Sequence, residues 1–265
     1  MAIPKRAVER ITAGLKKYQA VLTDAKNRDI NESDTVTIIR NIVSDLLGYK
    51  RFTEITSELP DHSGGYIDLA VKVDKEIRFL IEAKAINVDL KESHVRQGVN
   101  YGAGLGTEWV ILTNGVHWRI YKIHFGQPIE HILVRELDLL AATPHDDKLL
   151  ECFGSLSREG FTKSSMTAFF QQQQAMGKFS LAALLLSEPV ISAARRELHR
   201  LYPSVKVEPE VLRSNIQNHV FKREVVDGDE ARLAQGAIRK AAKAAAKTKA
   251  KAESERAPNI KPDVT

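Results

Sequence analysis

Two runs rich in β-branched and apolar side chains, YIDLAVKV (66–73) and IRFLIEA (77–83), are separated only by the polar stretch DKE. Such a pair reads as two strands of a meander joined by a tight turn. Side chains alternate between the faces of a strand, so Glu82 and Lys84 project together while Ile81 and Ala83 point into a core. The neighbouring strand brings Asp68 alongside them. Asp, Glu and Lys are all depleted in strands, and burying an ion is costly unless it is paired or metal-bound. One reading is a structural salt bridge of Lys84 with Glu82 or Asp68, which leaves the second carboxylate unexplained. The other is a hard divalent cation, Mg²⁺ with Mn²⁺ as its substitute, held by two carboxylate oxygens and retaining waters for its remaining positions.

The flanking segments place this meander in an α/β frame. Val8, Ile11, Leu15, Tyr18 and Leu22 recur at helical spacing between Pro4 and about Asn27. NESDTVTIIRNIVSDLLGY offers the capping residues Asn31, Ser33 and Asp34, then an apolar helical register, then Gly48 at the stop. FTEITSEL alternates weakly and supplies a further strand. The polar, Gly-dotted segment from Leu90 to Leu105 reads as a helix ending in glycines, and EWVILTNGVHWRIYKI carries the Asn-Gly hairpin signal at 114–115. Beyond Pro128 the pattern turns helical. These features predict a mixed central sheet of about four or five strands flanked by helices over residues 1–135, a small all-helical region over 136–227, and a flexible basic tail over 228–265.

Charge distribution limits the partners. From Arg232 to Thr265 there are nine Lys/Arg against three Asp/Glu, leaving 30 basic and 31 acidic residues in the other 231. The body is close to neutral, and the Ala/Lys-rich tail reads either as a solvated arm that adds salt-dependent attraction to phosphates or as a fraying helix with no specific role. No apolar run approaches the ~20 residues of a bilayer span, and the N-terminal stretch lacks an apolar secretory core. A cytoplasmic protein with no membrane association is expected. Cys152, the single cysteine, reads as a buried free thiol. The histidines are scattered without zinc spacing. YGAGLGTEW follows a helix and precedes a strand, the reverse of the dinucleotide-binding order.

The arrangement of Asp68, thirteen residues, then Glu82-Ala83-Lys84 resembles the PD-(D/E)xK nuclease superfamily. More specifically, NESDT from Asn31, IEAK from Ile81, QGVNY from Gln97 to Tyr101 and LTNG from Leu112 are similar, in order and element type, to the N-terminal nuclease domain of type I restriction enzyme R subunits and to related stand-alone type IV restriction endonucleases. The resemblance covers about residues 28–125. It implies a restriction-endonuclease-like core in which Asp68 and Glu82 bind metal, Lys84 serves catalysis, and Gln97 with Tyr101 support the site. That last pair has an independent logic, since i and i+4 share one helix face. An acidic residue at the start of the preceding helix joins the site in many relatives, and Glu32 and Asp34 both fit. The proline that names the superfamily motif is absent, Tyr66 and Ile67 standing before Asp68.

The implied function is Mg²⁺-dependent endonucleolytic hydrolysis of DNA in a restriction or defence system, with Lys84 orienting or deprotonating the attacking water. Two alternatives stand beside it: RNA as substrate, and a cleavage-silent nuclease-fold scaffold that binds nucleic acid or a partner. The chain has no G-x-x-x-x-G-K-[ST] loop, so an ATP motor or a specificity function would come from a separate subunit. A symmetric homodimer would suit cutting of both strands.

Overall fold

The computed structural model describes residues 3–60 and 66–256. These divide into two compact units, residues 1–173 and 174–265.

The first unit begins with helices α1 (Lys5–Asn27) and α2 (Glu32–Asp45), continues through strands β1 (Ile55–Pro60), β2 (Tyr66–Val73) and β3 (Glu76–Ala83), and crosses by helix α3 (Glu92–Leu105) to β4 (Trp109–Thr113). Strands β5 (His117–His124) and β6 (Glu130–Asp138) and helices α4 (Asp147–Leu156) and α5 (Lys163–Ala175) follow. The strands form one six-stranded sheet in sequence order, β1-β2-β3-β4-β5-β6. All neighbours are antiparallel except β3 and β4. That parallel step is the one join that needs a long crossover, and α3 supplies it.

Both faces of the sheet are covered, which explains why the central strands are apolar on both sides. Leu69, Val71, Phe79, Ile81, Ile111 and Ile120 join the buried side chains of α1, α2 and α4 on one face. Ala70, Leu80, Val110, Leu112 and Ile123 join Val95 and Val99 of α3 on the other. Helix α3 lies close to the sheet because it carries glycine at the contact: a Cβ on Gly98 would stand 2.8 Å from Val110 and 3.8 Å from the Glu82 Cβ.

The sheet has six strands, not the four or five expected, because β6 was assigned to helix. It is an edge strand with Ile132 and Leu133 both exposed, and its register shifts where Ile120 pairs with Arg135 but Tyr121 pairs with Leu133. The extra residue, Val134, is a bulge that breaks the alternation on which strand recognition depends. The turn chemistry also differs from expectation. The two-residue turn with positive φ at both positions is Asp74-Lys75 between β2 and β3. In the Asn-Gly hairpin only Gly115 has positive φ, and Asn114 instead accepts hydrogen bonds on its side chain from the N–H groups of Val116 and His117, an Asx-type turn.

Helix α4, placed by sequence with the helical region, belongs to the core of the first unit. Leu149, Cys152, Phe153 and Leu156 are fully buried there, with Phe153 packed edge-on against Trp118 at 5.2 Å between ring centroids. Cys152 is a buried free thiol, its pKa pushed up to about 12 by burial.

The second unit contains α6 (Lys178–Leu185), α7 (Glu188–Leu201), α8 (Pro209–Asn215), α9 (Arg223–Val226) and α10 (Asp229–Arg256). Its core is thin, with Ala182, Ala183, Ile191, Val226 and Ala231 buried. The Ala/Lys-rich segment is helical as far as Arg256, and the last nine residues of the expected tail lie outside the described residues. Among the described residues no helix is long and apolar enough to cross a membrane.

Phe153→Ala should destabilise the protein by about 3–5 kcal/mol in denaturant unfolding, the cost of truncating a fully buried aromatic. A change under about 1 kcal/mol would mean that α4 does not form part of the sheet's core.

Candidate active site

The site forms where β2 and β3 part. Their pairing runs from Leu69↔Ile81 to Val73↔Glu76. Past that point β3 continues its ladder with β4, through Glu82↔Leu112 and Ala83↔Thr113. Successive backbone N–H groups of a strand point to opposite sides, so Lys84 N–H reaches Thr113 O on β4 while Ala83 N–H faces β2. There it donates to the Asp68 carboxylate, at 2.7 Å from Oδ2. A side chain therefore replaces the missing backbone acceptor, as a buried donor requires.

Glu82 is 2 % exposed. Its Oε1 accepts from Lys84 Nζ at 2.8 Å, while its Oε2 is buried and has no hydrogen-bond partner among the described residues. The Lys84 ammonium also lies 3.7 Å from Glu32 Oε2. Glu32 opens α2, where Asn31 is the N-cap and accepts from Asp34 N–H at 2.9 Å. Of the two acidic residues that fit from sequence, Glu32 is thus the one brought to the lysine; Asp34 stands exposed on the first turn.

The electrostatics of the cluster share one direction. Burial raises the Glu82 pKa to about 7, with the Asp68 and Glu32 charges adding to it and the Lys84 hydrogen bond opposing it. Burial likewise raises Asp68 against the pull of the Ala83 N–H and Lys84, with Glu32 and Glu58 contributing. Lys84 is lowered by burial but raised more by its bond to Glu82 and by the charges of Glu82, Glu32 and Asp68, and ends above its ordinary value. Each of the three groups is displaced toward holding a proton. One ammonium does not neutralise the carboxylates around it, and Glu82 Oε2 has no donor among the described residues.

This is the donor set and the charge deficit that suit a hard divalent cation. Asp68 and Glu82 would supply its two carboxylates, and solvent the remaining positions. A preassembled protein cage is not present: among the described residues no three His, Cys, Asp or Glu side chains are grouped to hold an ion.

Helix α3 covers the opening between β2 and β3. Gln97 Nε2 donates to Tyr66 O at 2.7 Å, and Tyr101 donates from its hydroxyl to Pro60 O. These bonds tie α3 to the first residue of β2 and the last residue of β1. Gln97 and Tyr101 therefore brace the strand that carries Asp68, through backbone carbonyls.

Residues 48–134 match the family described as the type I restriction enzyme R protein N terminus. The match spans about a third of the chain and includes Asp68, Glu82, Lys84, Gln97 and Tyr101 but not Glu32. No curated protein and no solved structure matched the chain. That family is described as part of a restriction enzyme.

Two neighbours of the site escaped the sequence reading. Glu58 has positive φ on β1, between Ser57↔Leu69 and Leu59↔Ile67, and its charge reaches Asp68; a lone Glu in a weakly alternating strand gives no signal. His94 stands on the Gly98 face of α3, one turn nearer the N-terminus. Its Nδ1 accepts from Lys91 N–H at 3.2 Å, and burial with the Lys84 and Lys91 charges lowers its pKa.

Glu82 sets a pH dependence in chelated protein. Its folded pKa lies above its unfolded value, so between about pH 4.5 and 7 the folded state holds a proton that the unfolded state has lost, and stability falls as pH rises through that window. The loss should be on the order of 2–3 kcal/mol and complete above pH 7. Glu82→Gln, which cannot ionise, should show a flatter stability profile over this range in EDTA. Parallel profiles for parent and variant would refute the assignment.

Proposed function

We propose that the chain is a Mg²⁺-dependent endonuclease that hydrolyses DNA phosphodiester bonds as part of a restriction system. One observation carries the reading: Glu82 is buried with one oxygen on Lys84 and the other without a partner among the described residues, beside a second carboxylate, Asp68, whose own pKa is raised. The match of residues 48–134 to the N-terminal family of restriction-enzyme R proteins supports DNA as the substrate.

Asp68 and Glu82 would hold the cation. A bound divalent ion supplies Lewis-acid stabilisation of charge on the phosphate and lowers the pKa of water. Lys84 remains an ammonium at neutral pH, held by Glu82 and Glu32, and its protons orient the attacking water and offset charge developing on the non-bridging oxygens. Gln97 and Tyr101 act at one remove, by fixing the first residue of the strand that carries Asp68 and the last residue of the strand paired with it.

A second reading has its own support. Lys84 already pairs with Glu82, an ion pair that would equally serve a nuclease-fold scaffold that does not cut. One assay separates the two. Purified protein is incubated with supercoiled plasmid, linear duplex, single-stranded DNA and RNA, in Mg²⁺, Mn²⁺ or EDTA. The nuclease reading expects cation-dependent nicking or cutting of DNA, lowered by at least ~10²-fold in Glu82→Ala and Lys84→Ala and by about tenfold in Gln97→Ala, which loosens placement only. DNA binding without cleavage of any substrate in any cation would establish the scaffold instead.

A further inference from the structure

The second unit carries all of the chain's net positive charge. Residues 174–265 hold 17 Lys/Arg against 11 Asp/Glu, whereas residues 1–173 hold 22 against 23. Much of that charge is neutralised locally. Arg200 pairs with Glu197, Arg213 with Glu188 and Glu210, Arg223 with Asp227 and Arg232 with Asp229. On α7 the pattern changes. Ser192, Arg195, Arg196 and His199 recur at i, i+3, i+4 and i+7, which places them on one helix face. Together with Lys206 and Glu208 they line a groove of about 550 Å³. Among the described residues neither Arg195 nor Arg196 has a carboxylate within ion-pair distance, although both are exposed.

We propose that this groove binds the phosphate backbone of duplex DNA, making the helical unit a substrate-holding module separate from the cleavage site. Two guanidiniums, an ammonium and an imidazole face a single carboxylate, Glu208, so the groove complements a polyanion. Guanidinium donors match phosphate oxygens in paired geometry. Contacts from guanidinium to phosphate carry no sequence information, so binding through them is independent of sequence and its strength falls with salt through release of condensed counterions. The choice of DNA over another polyanion rests on the nuclease reading of the first unit. The division of labour follows from charge: a nearly neutral catalytic unit whose site is itself rich in carboxylates gains little attraction for a phosphate chain, and an appended basic groove provides it.

The test uses the full chain carrying Glu82→Ala, in EDTA, so that binding is read without cleavage. Affinity for a fluorescein-labelled duplex is measured across a salt series for this protein, for Arg195→Ala/Arg196→Ala added to it, and for the charge-matched control Arg223→Ala/Arg232→Ala. All three are checked for retained helix content by circular dichroism. The groove variant should bind about tenfold more weakly near physiological salt, and its slope of log K against log[salt] should shrink by roughly two, as expected for two lost phosphate contacts. The control should change affinity less than about threefold. Equal losses in both double variants would show diffuse attraction to the unit as a whole and overturn the groove. Unchanged affinity and slope in the groove variant would also overturn it. Thermal stabilisation of the parent by inorganic phosphate or dAMP, lost in the groove variant while duplex affinity stays the same, would assign a small phosphorylated ligand instead. The two proposals fail separately. Groove-dependent binding by a chain that cuts no substrate keeps the module and removes the nuclease, and normal plasmid cleavage by Arg195→Ala/Arg196→Ala with intact Glu82, at unchanged affinity, does the reverse.

Discussion

The hydrogen bond from Ala83 N–H to the Asp68 carboxylate is the point on which the site's geometry turns. A six-stranded sheet covered on both faces has no natural place for a carboxylate pair, because each interior strand offers only apolar surroundings and backbone groups already in a ladder. Separation of β2 from β3 past Leu69↔Ile81 creates one. It releases one backbone donor, and Asp68 meets it with a side-chain oxygen, which holds the aspartate next to Glu82 without continuing the ladder. The pairing of β3 with β4 through Ala83↔Thr113 keeps the other edge rigid. The opening is thus local, one residue deep in register, and bounded by a parallel ladder that does not yield.

The close seating of α3 follows from the same need. A helix laid over an opened sheet would stand off it if each position carried a Cβ, and Gly98 removes the one that would meet Val110 and approach Glu82. The bonds from Gln97 to Tyr66 O and from Tyr101 to Pro60 O then fix the helix to both ends of the chain reversal before β2. The covering helix explains why Glu82 is desolvated and why its carboxylate resists ionisation. Burial of this kind opposes folding wherever the group is charged.

Much of this was legible from residue pattern alone. The β2–β3 meander, the capped α2, α3 with its Gly106 stop and the β4–β5 hairpin all announce themselves by period and punctuation, and the three charged side chains in the meander pointed to the site. What failed did so for physical reasons. β6 is an exposed edge strand with a bulge at Val134, so its apolar residues do not alternate. The turn types were exchanged between two hairpins, because the Asn114 side chain substitutes for a second left-handed residue whereas Asp74 and Lys75 adopt that conformation themselves. Helix α4 looks like any amphipathic helix, and only tertiary contact with Trp118 reveals which unit it completes. The choice of Glu32 over Asp34 depends on where a helix start faces a strand end, which spacing along one chain does not encode.

The distribution of charge gives these two units a common logic. A site built from Asp68, Glu82 and Glu32 around a single ammonium repels a phosphate chain at the distances from which encounter begins, since its carboxylates outnumber its cations. Catalysis at such a centre depends on attraction generated elsewhere on the molecule or by a bound cation. The first unit, with slightly more acidic than basic residues, does not generate it by net charge. Residues 174–265 hold the surplus, and among the described residues Arg195 and Arg196 on the groove side of α7 have no carboxylate partners of the kind that Arg200 and Arg213 have. Leaving guanidiniums unpaired forgoes little stability at a surface, where ion pairs contribute at most about 1 kcal/mol, so a small energetic sacrifice in the helical unit supplies what the carboxylate-rich site lacks.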